Sequence, residues 1–147
     1  MKIYHFGGIV VGTLLLAACG ASSVTTSLKV VEHAETDAVA DIGASGDSVG
    51  DVLTFANPVF DADNTNQVGT DNGYCFRTAV GSAWECHWIL TLSDGQITVD
   101  GPFYDATDSI LAITGGTGAY SQARGEMALH ARNAQGTEYD FAYTIVK

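Results

Sequence analysis

The chain has 147 residues and a mass of 15.4 kDa, which is room for one domain. Six Lys and Arg stand against 17 Asp and Glu, a net charge of −11, and Lys29, Arg77, Arg124, Arg132 and Lys147 are scattered, so the clustered cations that a nucleic-acid partner needs are missing. With 46% hydrophobic and 16% charged residues, 17 Gly and 2 Pro, the chain can build a core, which excludes global disorder, and its Gly, Thr and aromatic usage leans toward β structure.

Met1-Lys2 carries the only early positive charge, and Phe6 to Ala18 (FGGIVVGTLLLAA) is an apolar run of 13 residues. That is short of the ~20 that a membrane-spanning helix needs. It has the length and the small-residue end of a signal-peptide core. The run closes on Leu16-Ala17-Ala18-Cys19, which resembles a bacterial lipobox. The resemblance implies cleavage before Cys19 and lipid on its thiol, anchoring an exported domain to the bacterial cell membrane, facing the periplasm or the exterior. An ordinary secretory signal with an incidental Cys19 is the alternative. Residues 1–18 are expected to be a signal peptide, 19–27 a tether and 28–147 the folded domain.

Within that domain Ser27–Glu35 reads as a strand, Asp37–Gly50 as an Ala/Gly/Asp-rich loop and Asp51–Phe60 as a strand. Asp61–Gly73 starts as a polar turn and holds a short strand near Gln67–Thr70. Asn66 and Asn72 stand where a calcium loop needs Gly and Glu, so no metal is expected there. Tyr74–Ala79 and Trp84–Leu92 follow, then a Ser93-Asp94-Gly95 turn, Gln96–Phe103, Ile110–Thr114, Ala123–Arg132 and Glu138–Val146. The Gly115-Gly116-Thr117-Gly118 stretch lacks the Lys and the following helix of a phosphate loop, and its glycines are expected in tight turns. Short strands with a turn every ten residues or so, and no long helical period, give an all-β antiparallel sandwich or barrel.

Period-two alternation assigns faces. Trp84, Cys86, Trp88, Leu90 and Leu92 share one face of their strand; Tyr139, Phe141, Tyr143 and Ile145 share another, as do Met127 and Leu129, and Leu53, Phe55, Asn57 and Val59. The cysteines then sort. With Cys19 lipidated, Cys75 and Cys86 remain, and an exported pair usually bonds. If Val80-Gly81 is a two-residue hairpin turn, Cys75 falls opposite Cys86 and Arg77 opposite Trp84. A free, reactive Cys75 is the rival reading. Arg77 shares the inward face with Cys75, and a buried cation needs a partner, for which Glu32 and the Trp84 ring are candidates.

Several segments in order carry a resemblance: Phe55-Ala56-Asn57, Val68-Gly69-Thr70, Gly73-Tyr74-Cys75, Gly95 to Phe103 (GQITVDGPF), Leu111 to Tyr120 (LAITGGTGAY) and Ala123-Arg124-Gly125-Glu126. From about Leu28 to Val146 the chain resembles the allene oxide cyclase barrel family, and its GGTG-x-Tyr-x-x-Ala-Arg-Gly pattern is similar to dirigent proteins. The resemblance implies an eight-stranded antiparallel β-barrel whose apolar lumen binds a small apolar ligand, without a cofactor or metal, in a homo-oligomer, trimer or dimer. It places a glutamate with a catalytic role at Glu32 and a water-holding asparagine at Asn57. It puts the family's cysteine at Cys75 and substrate-contacting aromatics at Phe55, Trp84 and Phe103; Arg77 joins them on face assignment. An asparagine of the plant enzymes is replaced by Ala34, and a Cys75 bonded to Cys86 cannot act as a thiol.

The functional expectation is an isomerase or cyclase that steers ring closure of a small apolar molecule by orientation and water exclusion. The alternatives are a non-catalytic, lipocalin-like carrier and a dirigent-like stereochemical guide. Glu85 with His87, and Glu126 with His130, offer two ligands each on solvent-directed faces, too few for a metal.

Overall fold

The computed structural model describes residues 23–147. The expected signal peptide, Cys19 and the start of the tether lie outside the described residues. Nine strands follow in order: β1 (Thr25–His33), β2 (Ala38–Ala40), β3 (Val52–Phe60), β4 (Gln67–Ala79), β5 (Ala83–Leu92), β6 (Gly95–Tyr104), β7 (Ser109–Gly118), β8 (Arg124–Ala131) and β9 (Glu138–Val146). Neighbours pair antiparallel in the order β1-β9-β8-β7-β6-β5-β4-β3-β2, and a β1–β3 pairing closes the sheet. Eight long strands thus form a barrel, and three-residue β2 extends one edge of β3. Closure removes the unpaired edges that would otherwise template aggregation.

The alternation read from sequence is the alternation that builds the core. Trp84, Cys86, Trp88 and Leu90 of β5 are buried, as are Phe141, Tyr143 and Ile145 of β9 and Met127 and Leu129 of β8. Trp88 stacks on Phe141 at 5.5 Å and meets Phe55 edge-on at 5.9 Å, so the large aromatics fill the lumen. Small barrels are filled by their own side chains in this way.

Several local expectations change: the expected Asp37–Gly50 loop holds the short β2, and Thr25–Ser27 of the expected tether begin β1. The β4–β5 loop has three residues, with Ser82 N–H donating to Ala79 O at 3.1 Å and Gly81 at φ 61°, and a bulge at Thr78 takes up the extra residue. Because the bulge compensates for the longer loop, the Cys75↔Cys86 and Arg77↔Trp84 register still holds. The Gly-rich stretch is strand rather than turn: β7 runs through Gly116, where a Cβ would come within 2.5 Å of Gln96 O, and only Gly118 of the four has positive φ (56°). Finally, Gln67–Ala79 is one continuous strand of 13 residues.

Cys75 and Cys86 are joined in a disulfide across β4 and β5, which rules out a free Cys75 thiol in this state. The bridge constrains the unfolded chain, and its removal by Cys75→Ala/Cys86→Ala is expected to cost ~2–4 kcal/mol. Chemical denaturation of oxidised wild type and the double variant checks this; equal midpoints would show that the lumen packing alone holds the hairpin.

Candidate functional site

The site begins where β1 leaves β3. Glu32 pairs with Val59, after which the chain steps away and returns as β2 opposite Val52–Thr54. Side chains fill the break in the ladder. Asn57 Oδ1 accepts from the backbone N–H of Glu35 (3.0 Å) and Thr36 (2.9 Å) and from the Thr36 hydroxyl (2.9 Å). The Thr36 hydroxyl oxygen accepts in turn from Ala56 N–H at 2.7 Å. Asn57 Nδ2 donates to Glu32 Oε1 at 2.7 Å and to Asp37 Oδ1 at 2.8 Å. The Asn57 amide is therefore fully employed by protein groups, and it fixes the Glu32 carboxyl in place.

Asp71 lies directly opposite Asn57 on β4 and is completely buried. Neither of its oxygens meets a conventional donor. The polar side chain within its reach is the Glu32 carboxyl. Two carboxyls hydrogen-bond only when one carries a proton, and two buried like charges repel. Burial, reinforced by the charge of Glu32, pushes Asp71 up to about 9. Burial also raises Glu32, to about 7, against the hydrogen bond from Asn57. The pair thus shares at least one proton at neutral pH. Beneath it the indole N–H of Trp88 and the hydroxyl of Tyr143 are also buried without a well-aligned partner, and burial keeps Tyr143 neutral.

Glu32 opens onto a lumenal cavity of about 50 Å³, walled by Phe55, Trp88, Phe103, Tyr139 and the Cys75–Cys86 bridge. Of the residues singled out from sequence, the structure brings Glu32, Asn57, Phe55 and Phe103 together here. Trp84 and Arg77 form a different cluster. The Arg77 guanidinium lies 4.1 Å over the Trp84 ring, and its partners are Asp47 (2.6 Å) and Asp105 (2.8 Å) rather than Glu32. Those two carboxylates also tie the 41–51 loop and the β6–β7 loop to the β4–β5 hairpin, since Asp47 accepts from Gly81 N–H at 2.7 Å.

Asp71 is not evident in the sequence because its stretch reads as a polar turn with a short strand near Gln67–Thr70, followed by a second strand from Tyr74. Read as one strand, positions 71, 73, 75 and 77 share a face, and Asp71 falls in phase with inward Cys75. Asp37 begins the Asp37–Gly50 stretch that reads as a loop, and no periodicity there points at the lumen.

The sequence profile of the allene oxide cyclase barrel like domain matches residues 28–142. This chain belongs to that family. Solved structures agree on the barrel. A pyocyanin demethylase is 31% identical, with 80% of this chain and 98% of that one covered and a TM-score of 0.64. A pterocarpan synthase dirigent protein is 18% identical over 84% of this chain and 94% of its own, with a TM-score of 0.69. An exo-specific intermolecular Diels-Alderase is 11% identical over 86% of this chain and 100% of its own, with a TM-score of 0.65. At those last two identities the likeness is one of fold.

Proposed function

We propose that this member of the allene oxide cyclase barrel like family is an exported, lipid-anchored enzyme that moves a proton on a small, mainly apolar molecule at Glu32, steering an isomerisation or ring closure. The observation that carries this reading is the buried Glu32–Asp71 carboxyl pair, whose Glu32 member lines the lumenal cavity. A carboxyl raised to about 7 is poised to take or give a proton near neutral pH. Asn57 orients it, and the aromatic wall excludes water and limits the poses a substrate can adopt. The lipid on Cys19 would keep the barrel at the membrane surface. The 31% identity to a pyocyanin demethylase supports an enzymatic role and makes pyocyanin the first compound to assay, ahead of other small apolar substrates.

The test is a pH–rate profile on any substrate found. A Glu32 base gains rate as pH rises through about 7, and a Glu32 acid loses it over the same interval. A profile flat from about pH 5 to 9 would remove Glu32 from the chemistry. Tight binding of such molecules without turnover would favour the carrier alternative.

A further inference from the structure

The cavity beside Glu32, about 50 Å³, is too small for a substrate; a single water takes up ~30 Å³. A wider chamber of about 670 Å³ lies at the same end of the barrel, between the 105–108 and 132–137 loops. That volume falls within the ~300–1,000 Å³ of small-molecule sites. Phe103, Leu129 and Tyr139 line both spaces and so form the partition between them. Phe103 and Tyr139 meet edge to face at 5.9 Å, and Tyr139 stands opposite Glu32 in the β1–β9 register.

The charges around the chamber limit what it can take. Arg132 is held by Glu138 (3.4 Å) and Asp140 (3.0 Å). Arg77, behind Asp105, is held by Asp47 and Asp105. His130 is held by Asp108 at 2.7 Å. Each arginine is met by two carboxylates, so no cation described at this end is left to neutralise an anion. The chain as a whole carries −11, which repels anions and attracts cations. Aromatic rings at the partition favour a flat ring system and tolerate positive charge on it.

We infer that this outer chamber is the substrate-binding site and that it takes flat aromatic molecules, neutral or cationic, whose reacting edge reaches Glu32 by parting the touching Phe103 and Tyr139 rings. The inference rests on the proposed function for the role of Glu32 and adds the place and class of the ligand. Three tricyclic probes of one shape test it by fluorescence titration on the full chain at low salt and pH 8: 10-methylacridinium, acridine and anthracene-9-carboxylate. The cation and the neutral ring are expected to bind at least tenfold more tightly than the anion. Ala106→Arg and Ala134→Arg, both exposed and on the chamber wall alone, add a bulky like charge and should weaken the cation at least tenfold while leaving the thermal midpoint unchanged. Equal binding of the anion, no binding of any probe, or unchanged cation binding in both arginine variants would overturn the inference. Glu32→Gln separates the two ideas. If it binds methylacridinium as wild type does but still turns substrate over, the chamber stands and the proposed chemistry falls. If it loses turnover while no probe binds wild type, the chemistry stands and the chamber falls.

Discussion

Glu32→Gln is expected to lower turnover by ~10²–10⁴, the usual worth of a positioned acid or base, and to leave ligand binding within a factor of about two. Glutamine keeps the carbonyl oxygen that accepts from Asn57 Nδ2, so the splice between β1 and β3 survives. What it loses is the ability to titrate. The pH dependence that Glu32 imparts near 7 should vanish from any residual rate. The variant should also not be less stable than wild type near neutral pH, because a buried carboxyl raised above its solution value is costly there. Full turnover in Glu32→Gln would leave the barrel as a template that acts by shape alone.

Much of the barrel was legible because its information is local. Alternation along Ala83–Leu92 and Glu138–Val146 assigned inward faces without knowledge of neighbours. The Cys75–Cys86 pairing followed from counting back from the β4–β5 hairpin, and it survived a wrong loop length because the Thr78 bulge cancelled the error. The features that were missed depend on distant partners. Arg77 finds Asp47 and Asp105, 30 and 28 residues away, through loops whose paths no periodicity encodes. The short β2 exists only because β3 offers an edge there once β1 has left it. Glu32 and Asn57 came from the family resemblance, and the register explains them: both sit at the seam where the barrel closes. Asp71 could have been found by phase with Cys75, but an acid in a strand interior, next to a glycine-rich, polar run, reads as a turn until its neighbours are known.

Asp71→Asn should stabilise the barrel, and the gain should depend on pH. Wild-type Asp71 keeps its proton in the folded state to about pH 9, whereas an unfolded aspartate releases it near 4. Between those values the folded chain binds more protons, so wild-type stability is full below about pH 4 and falls as pH rises. Each tenfold difference in proton affinity corresponds to ~1.4 kcal/mol. The penalty that asparagine escapes is therefore on the order of a few kcal/mol at about pH 7.5, enough to raise the thermal midpoint by ~10 °C or more. At pH 4 the two proteins should melt together. Asparagine can also donate to Glu32 as the protonated Asp71 does, so the pH–rate midpoint should move little. Asp71→Leu tests that second role. Leucine escapes the same penalty but donates nothing, so Glu32 loses a bond to its charged form and its ionisation should shift further upward. A stability difference between the two proteins that is the same at pH 4 and pH 8 would mean that Asp71 is ionised in the folded barrel. In that case a cation or an ordered donor must share its site.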